Sequence, residues 1–256
     1  MIEPPQPEDF ARQLLGQLSI DRVTDLTQVL APLRLGVRET EASSFEGLLV
    51  CRKDRSRGSI AVSTGIRELG RKRFTICHEI GHFVLPGHGE SGCSAPDIEA
   101  WNSASSTKEI EANRFASEIL LPTRLIYPVV EKKKATIALA KEISGDFETS
   151  LTAAAYKMVR VTNEACALVW SWRGRIKWFA KSDSFFGFID RSALDQQSRA
   201  AQLMRDTSER ESEGRVFAET WLKSDALKGK NKLWEDSICL PAYEGILTIL
   251  TVDSAL

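Results

Sequence analysis

The spacing of apolar and polar residues predicts two helices and then a group of strands in the leading part of the chain. Amphipathic helices are predicted over residues 7–18 and 26–33, and short apolar runs predict strands over 36–39, 47–52 and 59–63. The last of these strands is either an ordinary core strand or an exposed edge strand that pairs with an extended substrate. We therefore expect a small sheet before the first long helix.

The first long helix is predicted over residues 66–85, with Pro86-Gly87 ending it. Three basic residues, 71–73, lie on an early turn that we expect to be exposed. The expected buried stripe consists of Phe74, Cys77, Gly81, Val84 and Leu85. The glycine in this stripe lowers helix propensity by up to about 1 kcal/mol. It is either harmless or marks a position where another element approaches closely.

A second long helix is predicted over residues 108–122, with Thr107 as its N-cap and Pro122 at its end. Its expected buried stripe consists of Ala112, Phe115, Ala116, Ile119 and Leu120. We expect Glu118 to face solvent. This helix and the preceding one carry the residues that are candidates for chemistry.

Helical spacing continues through residues 123–162, and residues 139–159 have the rhythm of a helix-turn-helix. The turn is predicted at Ser144-Gly145, with Thr149 or Ser150 capping the next helix. Helices that read DNA usually expose Arg, Lys, Asn or Gln in their first turn. The corresponding residues here are Leu151, Thr152, Ala153 and Ala154. A packing module is therefore predicted, and direct DNA binding is not expected.

The last third of the chain is predicted to be a separate α+β domain. A hairpin is expected around Arg173-Gly174, followed by a helix over 191–205 and a polar loop or helix end over 207–215. The strands predicted for this domain are 165–172, 175–180, 237–241 and 245–252.

The most specific chemical signal is the string His78-Glu79-Ile80-Gly81-His82 on the first long helix, which contains two of the chain's 3 histidines. Histidines at i and i+4 project from one helix face, so both imidazoles can bind one ion. This H-E-x-x-H arrangement suits zinc, with Glu79 as general base toward a water molecule at the metal. A catalytic zinc site needs one more protein ligand.

Three residues compete for the place of third ligand. His88 has the offset of the last histidine in the metzincin pattern, but Leu85 stands where that pattern has glycine. Glu109 would complete a His-His-Glu set, and Asn113, one turn later, can accept a hydrogen bond from a liganding imidazole. Glu111 lies about 200° around the helix from Glu109 and is expected to face solvent. The chemistry favours Glu109.

The oxyanion formed during peptide hydrolysis also needs a stabilising group. His88 and Tyr127 are candidates for contact with the oxyanion or with substrate.

Composition limits the other functions that the chain could have. A net charge of −1 gives no electrostatic basis for nucleic-acid binding by the whole chain. No apolar run approaches the roughly 18 residues of a membrane span, and the start MIEPPQPEDF lacks signal-peptide character, so we expect a cytoplasmic protein without membrane contact. The 5 cysteines contain no C-x-x-C pair, which argues against a disulfide framework.

HEIGH at 78–82, followed by EIEANRFASEILLP at 109–122, resembles the ImmA/IrrE family of zinc metallopeptidases. Members of that family show HE-x-GH and then E-x-x-A-N-x-F-A-x-x-L-L-x-P. The resemblance implies a zincin-like core in which His78, His82 and Glu109 bind Zn²⁺ and Glu79 is the catalytic base. It also implies that the substrate is a helix-turn-helix repressor, whose cleavage releases stress-response or mobile-element genes.

These inferences predict an α+β protein in three parts. Residues 1–124 form the metallopeptidase domain, with its small sheet and H-E-x-x-H helix. Residues 125–163 form the helix-turn-helix-like segment, and residues 164–256 form the α+β domain, which in its element order resembles the GAF-like sensor of some longer family members. One rival function is a regulatory protein that binds a repressor or DNA without proteolysis. Another is a metallohydrolase that acts on a small molecule.

Overall fold

The computed structural model describes residues 4–89, 91–93, 107–189, 193–206, 208–223 and 232–252. The chain divides into two compact units. The first consists of Met1–Leu125 and Ser144–Ala153, and the second of Ile126–Ile143 and Ala154–Leu256. Both units combine helices with a sheet, so the α+β class is confirmed. The division into three domains stays a prediction.

The first unit contains a four-stranded sheet and the two long helices. Its elements are α1 (Pro7–Gln17), α2 (Thr27–Leu30), β1 (Leu35–Thr40), β2 (Gly47–Cys51), β3 (Gly58–Ser63), α3 (Leu69–Val84), β4 (Ser91–Cys93) and α4 (Thr107–Leu120). The strand order is β1-β3-β2-β4, in which β1 runs parallel to β3 and β2 runs antiparallel to both of its neighbours. Because β3 has a partner on each side, the edge-strand alternative for residues 59–63 is wrong.

Helix α3 is buried over its whole middle section, from Arg73 to Phe83. A single buried stripe was predicted, but α3 contacts β2 and β3 as well as α4, so its opposite faces are covered too. The prediction that Arg73 is exposed is wrong. Its guanidinium donates hydrogen bonds to the carbonyl oxygens of Val23 and Thr24, each at 2.9 Å.

Three further helices follow α4: α5 (Thr123–Val130), α6 (Ile137–Phe147) and α7 (Leu151–Val161). The predicted turn at Ser144-Gly145 lies inside α6, and the chain leaves that helix at Glu148, which has a positive φ of 50°. The predicted cap is confirmed for Ser150, whose hydroxyl accepts a hydrogen bond from the backbone N–H of Ala153 at 3.2 Å. A two-helix unit is therefore present, with its turn later than predicted.

The second unit is built on a five-stranded antiparallel sheet of order β6-β5-β9-β8-β7. Its elements after α7 are β5 (Cys166–Trp172), β6 (Arg175–Lys181), α8 (Arg199–Arg205), β7 (Glu211–Phe217), β8 (Lys232–Leu240) and β9 (Gly245–Val252). The hairpin around Arg173-Gly174 is confirmed, and both turn residues have positive φ, 48° and 76°. The loop predicted over 207–215 is wrong from Glu211 onward, where the chain forms β7.

Among the described helices of both units, none is long and apolar enough to cross a lipid bilayer.

Candidate metal centre

Helix α3 places two histidine rings side by side in the interior of the first unit. His78 is 0% exposed and His82 is 2% exposed. Their ring centroids lie 4.8 Å apart, and their Nε2 atoms are 3.1 Å apart. This proximity is expected for side chains separated by one helical turn. Both rings therefore direct one nitrogen toward a common point.

Glu109, in the first turn of α4, brings a carboxylate oxygen to the same point. Its Oε2 atom lies 3.1 Å from Nε2 of His78 and 3.4 Å from Nε2 of His82. Ligands roughly 2.0 to 2.1 Å from a tetrahedrally coordinated zinc ion are about 3.3 Å from one another. The three donor atoms therefore have the spacing that such an ion requires, and within the described ranges they form a group that could hold a metal ion.

The glycine in the middle of α3 allows α4 to approach closely. A β-carbon at Gly81 would lie 3.2 Å from Cα of Ala112 and 3.3 Å from the ring of Phe115. The interpretation that this glycine marks a close approach is confirmed. It also explains how a carboxylate on α4 can reach histidines on α3, because a larger residue at position 81 would push the two helices apart.

Asn113 lies one turn after Glu109 and contacts the other ring nitrogen of His78. Its Oδ1 atom is 2.8 Å from Nδ1 of His78. An amide oxygen only accepts hydrogen bonds, so in this contact Nδ1 of His78 donates. The proton is then on Nδ1, and Nε2 presents its lone pair to the cluster.

The surroundings of Glu109 favour its ionised form. Burial alone would raise the pKa of Glu109, but the neighbouring side chains of His78 and His82 outweigh that effect and hold the pKa well below its usual range. A metal ligand must be deprotonated to bind. The carboxylate is therefore in the form that a cation requires.

Glu79 is 0% exposed and packs beneath the beginning of β2. A β-carbon at Gly47 would lie 2.5 Å from Oε1 of Glu79 and 2.8 Å from Cγ2 of Thr75. Only glycine fits at position 47 while the Glu79 carboxylate keeps this place. Sequence reasoning missed Gly47, because nothing in a strand pattern reveals a contact with a helix far along the chain.

His88 lies on the side of the His82 ring that faces away from Glu109. Its Nδ1 atom is 3.0 Å from Nδ1 of His82, which is not the nitrogen that faces Glu109. Its Nε2 atom is 2.8 Å from Oε2 of Glu111. The prediction that Glu111 faces solvent holds in part: its side chain is 37% exposed, but its carboxylate also contacts His88 on the segment after α3. Burial lowers the pKa of His88, although the hydrogen bond to Glu111 works in the opposite direction.

Arg55 holds the segment that carries His88. Its guanidinium donates hydrogen bonds to the carbonyl oxygens of Phe83 at 3.1 Å and Leu85 at 2.7 Å, and also to that of His88. These carbonyls belong to the end of α3 and the chain that follows it. Sequence reasoning missed Arg55, because it lies in a polar turn whose charged residues give no sign of their partners.

Tyr127, predicted as a contact for substrate or the oxyanion, belongs to the second unit. Its hydroxyl accepts a hydrogen bond from Nδ2 of Asn163 at 3.1 Å. The structure brings together His78, His82, Glu109, Asn113 and His88, places the Glu79 carboxylate beside Gly47, and gives Tyr127 a partner within its own unit.

Comparison with known proteins places this centre in a family. Residues 34–159 match the family model described as Peptidase_M78, the IrrE N-terminal-like domain. This span, which includes the candidate metal centre, belongs to the ImmA/IrrE family, as the motifs predicted. No curated protein sequence matches the chain.

One similar solved structure is that of a Mycobacterium tuberculosis transcriptional regulator. It is 14% identical, with a TM-score of 0.54, and the match covers 97% of this chain and 88% of that one. At this identity the similarity concerns the fold alone.

Proposed function

We propose that the protein is a zinc-dependent endopeptidase. The observation that carries this proposal is the spacing of the three donor atoms of His78, His82 and Glu109, between 3.1 and 3.4 Å. Two imidazole nitrogens and one carboxylate oxygen leave a position open on a four-coordinate ion, which is typical of catalytic rather than structural zinc. The match to a peptidase family supports the same function.

In the proposed mechanism the protein supplies the ligands and the proton transfers. Zinc, when bound, provides Lewis-acid activation of a water molecule and of the scissile carbonyl. His78 and His82 would hold the ion through Nε2, and Glu109 would hold it through Oε2. Glu79 accepts a proton from the attacking water on its carboxylate and then passes it to the amine of the leaving peptide. The tight packing of Glu79 beneath Gly47 supports this role, because it limits the positions open to the carboxylate.

We further propose that the substrate is a helix-turn-helix repressor, cleaved in the cytoplasm to release stress-response or mobile-element genes. Kinship with the ImmA/IrrE family supports this substrate. The apolar start of α7 supports a packing role for the helix-turn-helix-like segment rather than DNA reading. For the second unit we propose a GAF-like sensor, which the antiparallel sheet packed against helix α8 supports.

The test uses the purified protein and a candidate repressor encoded by a neighbouring gene. Wild type should bind close to one equivalent of zinc and cleave the repressor. Glu79→Gln should keep the zinc and lose cleavage by about 100- to 10,000-fold, the range for general acid–base catalysis. Glu39→Gln is the matched control, because Glu39 pairs only with Lys72 on the exposed side of α3 in the contacts described, at 2.9 Å. Wild type without zinc, or cleavage that survives in Glu79→Gln, would contradict the proposal.

The alternative is a regulator that binds a repressor or DNA without proteolysis. The fold similarity over 97% of the chain to a structure named a transcriptional regulator is compatible with this second candidate. The variant His78→Ala separates the two, because it removes a metal ligand and leaves the second unit intact. If repression in cells is relieved equally by wild type and His78→Ala, and pull-down or gel-shift binding persists, the binding function replaces the peptidase.

A further inference from the structure

His78 and His82 have different hydrogen-bond partners at Nδ1, the ring nitrogen that does not face Glu109. His78 contacts the amide oxygen of Asn113, which lies within the second family motif. The ring of His82 contacts the ring of His88, which in turn contacts the carboxylate of Glu111. Neither His88 nor Glu111 takes part in the proposed mechanism.

The hydrogen-bond direction along His82, His88 and Glu111 follows from one condition. If Nε2 of His82 binds the metal, its Nδ1 carries the proton and donates. Nδ1 of His88, at 3.0 Å, must then be the acceptor and carry no proton. The proton of a neutral His88 is consequently on Nε2, which donates to Oε2 of Glu111 at 2.8 Å. One set of tautomers satisfies all three residues.

We propose that His88 and Glu111 are a positioning pair that holds His82 as an Nε2 ligand with a fixed ring orientation. This inference rests on the proposed function, because it requires a metal at the cluster. Partners that accept a hydrogen bond from a liganding histidine fix its tautomer and make it a better ligand. His88 is suited to this task because it is 6% exposed and held at both ends, through its side chain by Glu111 and through its backbone carbonyl by Arg55.

The geometry separates this role from that of a third ligand. His88 faces Nδ1 of His82, whereas Glu109 faces Nε2 of the same ring. The two contacts therefore lie on opposite sides of the imidazole. His88 can support His82 at the same time as Glu109 completes the donor set.

The first test measures zinc affinity by competition with a chelator. His88→Leu should weaken zinc binding by about 10- to 100-fold, the usual effect of losing an outer partner of a ligand. His88→Asn should recover part of that loss, because an amide oxygen can accept the proton of Nδ1. Glu111→Gln should lose less than His88→Leu, because a neutral acceptor remains. The matched control is Glu8→Gln: Glu8 binds Arg114 of α4 at 2.7 Å, outside the cluster, and this change should leave the affinity unaltered.

The second readout is the tautomer of each ring, measured by long-range ¹H–¹⁵N correlation in the zinc-loaded protein. We expect protons on Nδ1 of His82 and on Nε2 of His88. A proton on Nδ1 of His88, or zinc affinity in His88→Leu equal to that of wild type, would overturn the positioning pair. Circular dichroism of each variant without metal checks its fold, and if His88→Leu does not fold, His88→Asn and Glu111→Gln decide the question. Wild type that binds no zinc would contradict the proposed function itself, whereas an unaffected His88→Leu in a zinc-binding protein would refute only this inference.

Discussion

Each unit of the protein contains a glutamate carboxylate with several polar partners, half-buried at Glu109 and fully buried at Glu235, and the two carboxylates have opposite surroundings. Glu109 in the first unit meets two histidines, and its pKa lies well below the usual range despite burial. Glu235 in the second unit is 0% exposed. It accepts hydrogen bonds from the backbone N–H of Ala200 at 2.7 Å and from Nε1 of Trp221 at 2.8 Å. Burial raises the pKa of Glu235, and these bonds only oppose the rise.

The difference shows that burial and hydrogen bonding alone do not identify a metal ligand. Both carboxylates are well bonded, but only Glu109 lies against side chains that can themselves bind a cation. Glu235 joins β8 to the beginning of α8, because its acceptor oxygen satisfies one of the N–H groups left open at a helix start. The neighbours of a carboxylate decide whether it serves chemistry or structure.

The largest expected effect is on zinc binding. Glu109→Ala should weaken zinc affinity by more than about 100-fold, because it removes a ligand and outer partners alone contribute 10- to 100-fold. Glu235→Ala should leave zinc affinity unchanged. Chelator competition on both variants tests the contrast, and a zinc affinity that survives in Glu109→Ala would remove this residue from the ligand set.

The next largest effect is expected from moving Glu79, the proposed base, while leaving the proposed metal ligands in place. Gly47→Ala places a β-carbon where the Glu79 carboxylate now lies, so the carboxylate must move. A displacement of about 1 Å can reduce turnover by about 100-fold, and we expect that loss with zinc stoichiometry unchanged. Gly36→Ala in strand β1 of the same sheet is the control, because a β-carbon there meets no atom within 4 Å. Equal cleavage rates for the two variants would contradict the importance of the Glu79 position.

The residues of the candidate metal centre could be selected from the sequence because their geometry is local. The helical repeat sets the angle between His78 and His82, and it also sets the angle between Glu109 and Asn113. The residues that cover a helix, in contrast, can be distant from it in the sequence. Glu118 and Arg73 were both expected to be exposed, but Glu118 is 1% exposed, and Arg73 donates to the carbonyl oxygens of Val23 and Thr24.

The strands show the same limit. The bounds of β9, Gly245–Val252, were predicted without error because an unbroken apolar run marks a strand with partners on both sides. β7 was missed because it lies at the sheet edge and alternates exposed Glu and Arg with buried positions. The central place of β3 depends on its parallel pairing with β1, and pairing order leaves no mark in a single strand.

Glu235 should contribute to stability and not to the metal centre. Glu235→Ala leaves the donors of Ala200 and Trp221 without their acceptor, at a cost of about 1 to 3 kcal/mol each, so we expect a loss of about 3 kcal/mol in the free energy of unfolding. Urea unfolding followed by tryptophan fluorescence reports mainly on the second unit, which contains 5 of the 6 tryptophans. Glu213→Ala on the exposed face of β7 is the control and should change stability by less than about 0.5 kcal/mol.

A third carboxylate, that of Glu118, tests whether the neighbouring groups or the unit decide the role. Glu118 is on the same helix as Glu109 and is 1% exposed, but it accepts hydrogen bonds from the backbone N–H of Thr123 at 3.1 Å and from its hydroxyl at 2.6 Å. Its role should therefore resemble that of Glu235. We expect Glu118→Ala to lower the free energy of unfolding by about 1 to 2 kcal/mol and to leave zinc affinity unchanged. Loss of zinc binding in this variant, with its fold intact by circular dichroism, would contradict the distinction between metal-binding and structural carboxylates.

The smallest effect concerns the pH dependence of stability in the second unit. As pH rises above about 4.5, the ordinary value for Glu, the unfolded chain releases the proton of residue 235 while the folded protein, with its raised pKa, still holds it. The folded state then binds more protons than the unfolded state, so the free energy of unfolding falls with rising pH, by at most about 1.4 kcal/mol per pH unit, until the folded pKa is passed. Glu235→Gln keeps the shape without the titration and should flatten this fall in fluorescence-detected urea unfolding. The slope should not vanish, because burial also raises the pKa of the neighbouring Asp236. Parallel curves for wild type and Glu235→Gln would mean that residue 235 titrates alike in both states, and the contrast with Glu109 would then rest on contacts alone.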